Sequence, residues 1–329
     1  MTVRTLIAAA AAFGLAACAA ATTTPAGGAP MSSEIEAAGP AGPLKGTLLA
    51  PAAGAAKAPL VLILPGSGPT NRDGDNSLGL KPASYRLLAE ALAERGIASV
   101  RIDKRGMFGS AGAAADANAV TVEDYVADTR AWIASARRET GAQCVWLLGH
   151  SEGGLVALAA AREDDVCGLV LVAAPGRRLS DVLRTQLTAN PANAPVMADA
   201  ERAIAALEKS ERVDVSGFHP ALQGLFAPQV QGFLISLFAH DPAALLAGYG
   251  KPVLIVQGET DIQVTVEDAR RLAAANSGAK LVLLPDVNHV LKTAPAGDQA
   301  ANLRTYSDPA LPLAPGVADA IAGFVRQAR

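Results

Sequence analysis

The 329-residue chain has no surplus of positive charge: 28 Lys and Arg stand against 31 Asp and Glu, a formal charge of −3 and a pI near 5.9. Nothing in that balance neutralises a phosphate backbone, so the expected partner is a small molecule rather than nucleic acid. Cysteine is scarce, at three, and the four histidines include no pair at helical ligand spacing. A metal centre needs such a cluster or pair, so no metal is expected, and no other cofactor. Aromatic residues make up only 4% of a chain that is 50% hydrophobic. That supply suits one large core with an insertion and not several independent domains. No solenoid-length repeat is present.

What is there begins with a targeting segment. Arg4 supplies one positive charge, and "TLIAAAAAFGLAAC" follows as a short, alanine-rich apolar run, so residues 1–17 read as a signal peptide. The stretch "LAAC", Leu15 to Cys18, resembles a bacterial lipobox; the other reading is an ordinary secretory signal with a cysteine near the cut. The lipobox resemblance implies lipidation of Cys18 and tethering to a membrane of the cell envelope, since two or more acyl chains anchor a protein without a spanning helix. Ala19 occupies the position where aspartate would retain a lipoprotein at the inner membrane, which implies the periplasmic face of the outer membrane. Without lipidation the protein is periplasmic or secreted. Residues 18–33 lack apolar periodicity and read as a flexible tether.

From Glu34 the chain changes character. "EIEAAGPAGPLKGTLLAP" reads as two strands broken at Gly39 to Pro43. Strand and helix signals then alternate: strands at 60–65, 97–103, 144–149 and 167–175, with helices at 82–96, 122–141 and 152–163. Later come strands at 252–258 and 279–285, a helix near Val266 to Asn276, and a final helix from Val317. Such alternation predicts an α/β fold, a mostly parallel sheet with helices on both faces, whose sites gather at the carboxyl ends of the strands. Between Gly176 and Gly248 no strand-like run occurs, and helical stretches are separated by "NPANAP", "FHP" and "LFAPQ". The segment 176–248 reads as a helical cap inserted between two parts of the core, 34–175 and 249–329. Cys144 and Cys167 each open a strand-like run, and two readings stand: a disulfide between neighbouring strands, or two small buried side chains.

One short stretch carries chemistry. "GHSEG", Gly149 to Gly153, follows a strand and precedes a helix, the context in which G-x-S-x-G places a serine on a sharp, strained turn. Ser151 is therefore the candidate nucleophile. A serine hydroxyl needs a base to take its proton. Of the four histidines, His150 adjoins the serine and is expected to point away from it, while His219 and His240 fall in the inserted segment; His289, after the last strand, is the candidate base. Asp261, after the penultimate strand, is favoured as the carboxylate that orients it, with Glu259 and Asp286 as competitors. The order Ser151, Asp261, His289 is the one expected for this architecture. Two backbone donors are needed for an oxyanion: the N–H of Glu152, and one from the loop "PGSGPTNRDG", with Ser67 favoured.

These residues resemble the α/β-hydrolase family over essentially the whole chain from Glu34. "LPGSGPTNRDG" and "RIDKRGMFGSAG", with Asp103 to Gly106 as a D-x-R-G segment, resemble a bacterial carboxylesterase-like and serine-aminopeptidase-like group; Pro65 stands where many relatives have histidine. The resemblance implies an α/β-hydrolase fold and hydrolysis through an acyl-enzyme. Arg72, Asp73, Lys104 and Arg105 leave adjacent strand ends and either contact a polar part of the substrate or brace two loops together. The expected activity is cleavage of a small carboxylic ester, with an amidase or peptidase on the same three residues as the alternative. A non-catalytic, lipid-anchored binding protein is the alternative from another class.

Overall fold

The computed structural model describes residues 29–52 and 58–328. The signal segment, Cys18 and most of the tether lie outside the described residues. The last residues assigned to the tether do not belong to one: β1, Met31–Ala37, starts before Glu34 and pairs antiparallel with β2, Leu44–Ala50, through Met31 opposite Ala50. Pairing with an apolar strand ordered residues whose own composition carries no strand signal.

The alternation then unfolds as the periodicity predicts, with bounds shifted by up to three residues. β3 is Leu60–Leu64, α1 Ser84–Glu94, β4 Ala98–Ile102, α2 Val122–Thr140, β5 Val145–His150, α3 Glu152–Ala160 and β6 Val166–Val172. Five helices follow: α4 Leu179–Ala189, α5 Met197–Glu208, α6 Pro220–Leu225, α7 Gln231–Ala239 and α8 Pro242–Leu246. The chain returns through β7 Val253–Gly258, α9 Val266–Ala275, β8 Lys280–Leu284, α10 Gln299–Arg304 and α11 Val317–Gln327. Local chemistry sets several of these ends. At α2, Thr121 Oγ1 accepts from the Asp124 N–H at 3.2 Å while the Asp124 carboxylate accepts from the Thr121 N–H at 3.0 Å, a reciprocal cap. Proline sits in the first turn of α6 and α8, where its missing N–H has no partner to lose.

The eight strands form one sheet in the order β1-β2-β4-β3-β5-β6-β7-β8, parallel from β4 to β8. Period-two alternation divides the strand residues between two cores. Leu60, Leu62 and Leu64 face α2 and α3 on one side; Val61 and Ile63 face α1 and α11 on the other. Both faces are covered, which is why β3 to β7 read as continuous apolar runs. No helix among the described residues is long and apolar enough to cross a membrane.

Cys144 and Cys167 form a disulfide with Cα atoms 5.2 Å apart, joining the starts of β5 and β6. The helices between β6 and β7 are fastened to the core at both ends. Arg177 pairs with the fully buried Asp268 of α9 at 2.9 Å, and Ser236 of α7 accepts from the Val122 N–H at 2.8 Å.

Candidate active site

Ser151 follows β5 directly and occupies the left-handed region, with φ 53° and ψ −124°. A non-glycine residue held there stores about 1–3 kcal/mol of strain, which the surrounding packing must offset. The flanking glycines show how. A Cβ on Gly149 would meet the Gly153 carbonyl oxygen at 2.2 Å, and one on Gly153 would meet the Leu64 carbonyl oxygen at 2.2 Å. Without side chains at these two positions, α3 can pack tightly behind the turn and against β3. The Ser151 N–H is bonded to the Val172 carbonyl at 3.0 Å, which ties the turn to β6.

Asp261 and His289 come from the loops after β7 and β8. Their contact is Asp261 Oδ2 to His289 Nδ1, 2.8 Å, with both side chains buried. The carboxylate only accepts, so Nδ1 carries the hydrogen and Nε2 is left with its lone pair. The other carboxylate oxygen, Oδ1, accepts from the backbone N–H groups of Gln263, at 2.7 Å, and Val264, at 2.9 Å. Burial raises the Asp261 pKa, but the His289 charge and these hydrogen bonds outweigh it and hold the carboxyl below its usual range. The competitors are elsewhere: Glu259 and Asp286 are exposed at the surface.

Ser151 and His289 line one cavity of about 360 Å³ at the carboxyl ends of the strands, together with Gly66, Ser67 and Glu152. Its far wall is apolar and comes from the helices between β6 and β7, including Leu183, Leu225, Phe233, Leu234, Leu237 and Phe238. Residues of the "LFAPQVQGFLISLFAH" stretch thus divide: Phe226 is fully buried within the helical segment, while others reach the cavity. Gly66 lies against the serine, since a Cβ placed on it would be 3.2 Å from Ser151 Cβ. Among the described residues, neither the Ser67 N–H nor the Glu152 N–H is spent on a protein acceptor.

The four charged residues near the site do not line this cavity. Arg72 pairs with Asp103 at 2.8 Å and with Glu34 at 2.9 Å, and Asp73 pairs with Arg101. Arg105 grips Asp128 at 2.6 Å and Asp124 at 2.8 Å. Lys104 is buried below the Gly66 loop, 2.8 Å from the Gly66 carbonyl oxygen and 3.6 Å from the Glu152 carboxylate. Burial pushes its ammonium pKa down while Glu152 pulls it up, with a net lowering. These contacts tie the loops after β3 and β4 to each other and to β1, β4, α2 and α3, and among the described residues no three His, Cys, Asp or Glu side chains group as a metal site requires.

His150 has a different place from the one its sequence position suggests. It does turn away from the serine, but into a buried junction: Nδ1 lies 2.9 Å from Tyr85 Oη, and Nε2 lies 2.8 Å from the His289 carbonyl oxygen. A carbonyl only accepts, so Nε2 carries the hydrogen and Nδ1 accepts from the tyrosine. Tyr85 Oη in turn accepts from the Gly66 N–H at 2.9 Å. Tyr85, in the first turn of α1, has no local sequence signal pointing to the site. Of the remaining histidines, His219 accepts from the Ala221 N–H at 3.3 Å and His240 pairs with Glu123 at 3.1 Å.

A strained serine between two sterically required glycines, at the carboxyl end of a central parallel strand, defines a class of protein, and comparison agrees. Residues 60–303 match the Alpha/beta hydrolase family, and the chain belongs to that family. Esterase EstD of Thermotoga maritima is 27% identical over 237 residues, covering 71% of this chain and 54% of that protein. The chain thus spans about half the length of this curated relative. Among solved structures, the α/β hydrolase GrgF from Penicillium sp. sh18 is 17% identical with a TM-score of 0.57, covering 91% of this chain and 99% of that one. Est1E from Butyrivibrio proteoclasticus is 18% identical with a TM-score of 0.54, covering 89% and 98% respectively. At these identities the two structures establish the α/β-hydrolase fold.

Proposed function

We propose that this protein is a serine hydrolase that cleaves small carboxylic esters with an apolar acyl part. The observation that carries the reading is Ser151, strained on its turn, in one cavity with a His289 whose Nδ1 is committed to Asp261. In this reading Ser151 Oγ attacks the ester carbonyl and His289 Nε2 takes its proton. The Ser67 and Glu152 N–H groups hold the oxyanion, and the tetrahedral intermediate expels the alcohol, protonated by His289. Water then attacks the acyl-enzyme by the same route, and Asp261 stabilises the imidazolium in both halves. The esterase name of the Thermotoga relative supports the ester as substrate.

The cavity lining favours an ester over an aminoacyl amide. Its only carboxylate among the described residues is Glu152, which is buried against Lys104, so none is free to receive an α-ammonium group. The apolar wall instead suits a hydrocarbon or aromatic acyl group. We also propose that the chain is exported and held in the cell envelope by a lipid on Cys18, a reading supported by the sequence of residues 1–18 alone.

The test is intact-mass labelling with a fluorophosphonate, followed by turnover of short aryl esters and aminoacyl amides. A single adduct on the wild type, none on a folded Ser151→Ala variant, and turnover of the esters are expected. Turnover that survives Ser151→Ala overturns the serine assignment, and a preference for the amides overturns the substrate assignment.

A further inference from the structure

Two buried hydrogen bonds hold Gly66, one at its carbonyl and one at its N–H, and two more carry the second on to the His289 backbone; no step of the proposed reaction uses them directly. Lys104 Nζ donates to the Gly66 carbonyl at 2.8 Å. The Gly66 N–H donates to Tyr85 Oη at 2.9 Å, Tyr85 donates to His150 Nδ1 at 2.9 Å, and His150 Nε2 donates to the His289 carbonyl at 2.8 Å. Each donor and acceptor in this run of bonds has one consistent role, and none of the Tyr85, Lys104 or His150 polar atoms is buried without a partner. Tyr85, Lys104 and His150 are each buried.

The geometry of one peptide gives these bonds a consequence. Among the described residues no peptide bond is cis. In a planar trans peptide the carbonyl and the following N–H point in opposite directions. Lys104 holds the Gly66 carbonyl from a side outside the cavity, so the Ser67 N–H is directed the other way, and Ser67 lines the cavity. Turning the peptide over would leave a buried ammonium without its acceptor and bring the carbonyl, not the N–H, to face a developing oxyanion. Losing a hydrogen bond to a buried charged group costs about 1.5–3 kcal/mol, which opposes that flip. Lys104 also pairs with Glu152, whose own N–H is the other proposed donor.

We propose that Lys104 and Tyr85 are positioning residues that clamp Gly66 on both sides, at the carbonyl of the Gly66–Ser67 peptide and at the N–H of the Pro65–Gly66 peptide, and so preform the oxyanion hole. Lys104 sets the direction of the Ser67 N–H. Tyr85, through His150, ties the preceding Pro65–Gly66 peptide to the segment carrying His289, so the hole and the base keep a common register. The proposal rests on the serine-hydrolase reading; Lys104 lies outside the cavity, whereas Tyr85 and His150 are part of its lining.

The experiment compares the wild type with Lys104→Met/Glu152→Gln, which removes both buried charges together, and with Tyr85→Phe, which deletes one oxygen. Each is assayed for kcat and KM on an aryl ester, and for inhibition by a trifluoromethyl ketone of matching acyl group, whose adduct carries the oxyanion. Loss of an oxyanion donor costs about 10²–10³ in kcat, so the double variant is expected to lose that much with KM changed less than about threefold. Tyr85→Phe is expected to lose at least about tenfold in kcat, and in both variants ketone affinity falls in step with kcat/KM. Arg105→Met, which breaks a neighbouring brace outside the cavity, serves as the stability control and keeps ketone affinity. The clamp is overturned if an active wild type is matched within about threefold in kcat and ketone affinity by whichever variants fold. If Tyr85→Phe folds and the double variant does not, Tyr85→Phe decides alone. A wild type that neither turns over nor labels instead defeats the hydrolase reading.

Discussion

At the scale of single residues, the site depends on side chains whose importance is invisible one position at a time. His150 is the clearest case. Burial and the neighbouring His289 charge push its pKa from the ordinary 6.5 down to about 3. The hydrogen bond to the His289 carbonyl and the Asp261 charge pull the other way but do not compensate, and Tyr85 faces it as a neutral donor. In the unfolded chain His150 takes up a proton near pH 6.5, whereas in the folded protein it does so only near 3. Between those values the unfolded state binds more protons, so this residue makes stability rise with pH and fall on acidification. The slope of unfolding free energy against pH between 4 and 6 is expected to be shallower in a folded His150→Gln variant by up to about one proton. Equal slopes in chemical denaturation would show that His150 does not carry this dependence. The residue's neighbour, Ser151, was legible because its motif lies within five residues; His150's partners lie 65 and 139 residues away, beyond any local pattern.

At the scale of elements, the parallel strands have two ends with different tasks. The carboxyl ends carry Ser151, Asp261 and His289, while the Cys144–Cys167 disulfide joins the opposite ends of β5 and β6. Closing a loop across a sequence separation of 23 restricts the unfolded chain by about 3 kcal/mol. Cys144→Ser/Cys167→Ser is therefore expected to unfold at lower denaturant by roughly 2–4 kcal/mol, with KM unchanged because the bridge is remote from the cavity. A large KM change with unaltered stability would contradict that separation of tasks. Sequence left the cysteines open between a bridge and two buried thiols, since register between strands is a long-range property. It did place the strands themselves, because an element buried on both faces writes its burial into a continuous apolar run.

At the scale of the whole molecule, the cavity beside Ser151 is a surface made by two distant parts of the chain. The polar floor comes from the loops after β3, β5, β7 and β8, and the apolar wall from helices between β6 and β7. Leu234 of α7 lines that wall and is half-buried. Leu234→Trp is expected to cut kcat/KM for a long-chain aryl ester by at least about tenfold more than for the acetate, since lost apolar contact in a pocket is worth about 1–3 kcal/mol. Equal losses on both esters would place the acyl group elsewhere. Apolar residues of this segment read alike in sequence whether they pack the helices together, as Phe226 does, or line the cavity, as Leu225 beside it does. Helical periodicity marks a buried face, but not whether that face meets protein or an opening.

What the sequence determined by itself was local or periodic: the order of strands and helices, the glycines around Ser151, and the places of Asp261 and His289 after the last two sheet strands. Tertiary structure decided the rest. It paired Met31 to Ser33 into the sheet, bridged Cys144 to Cys167, engaged Arg72, Asp73 and Arg105 in ion pairs with distant residues, and set Lys104 and Tyr85 on the carbonyl and the N–H of Gly66. The physical reason is range. A turn or an amphipathic face is specified by residues a few positions apart, whereas a buried hydrogen bond acquires its partner only when the sheet has brought distant loops to the same end.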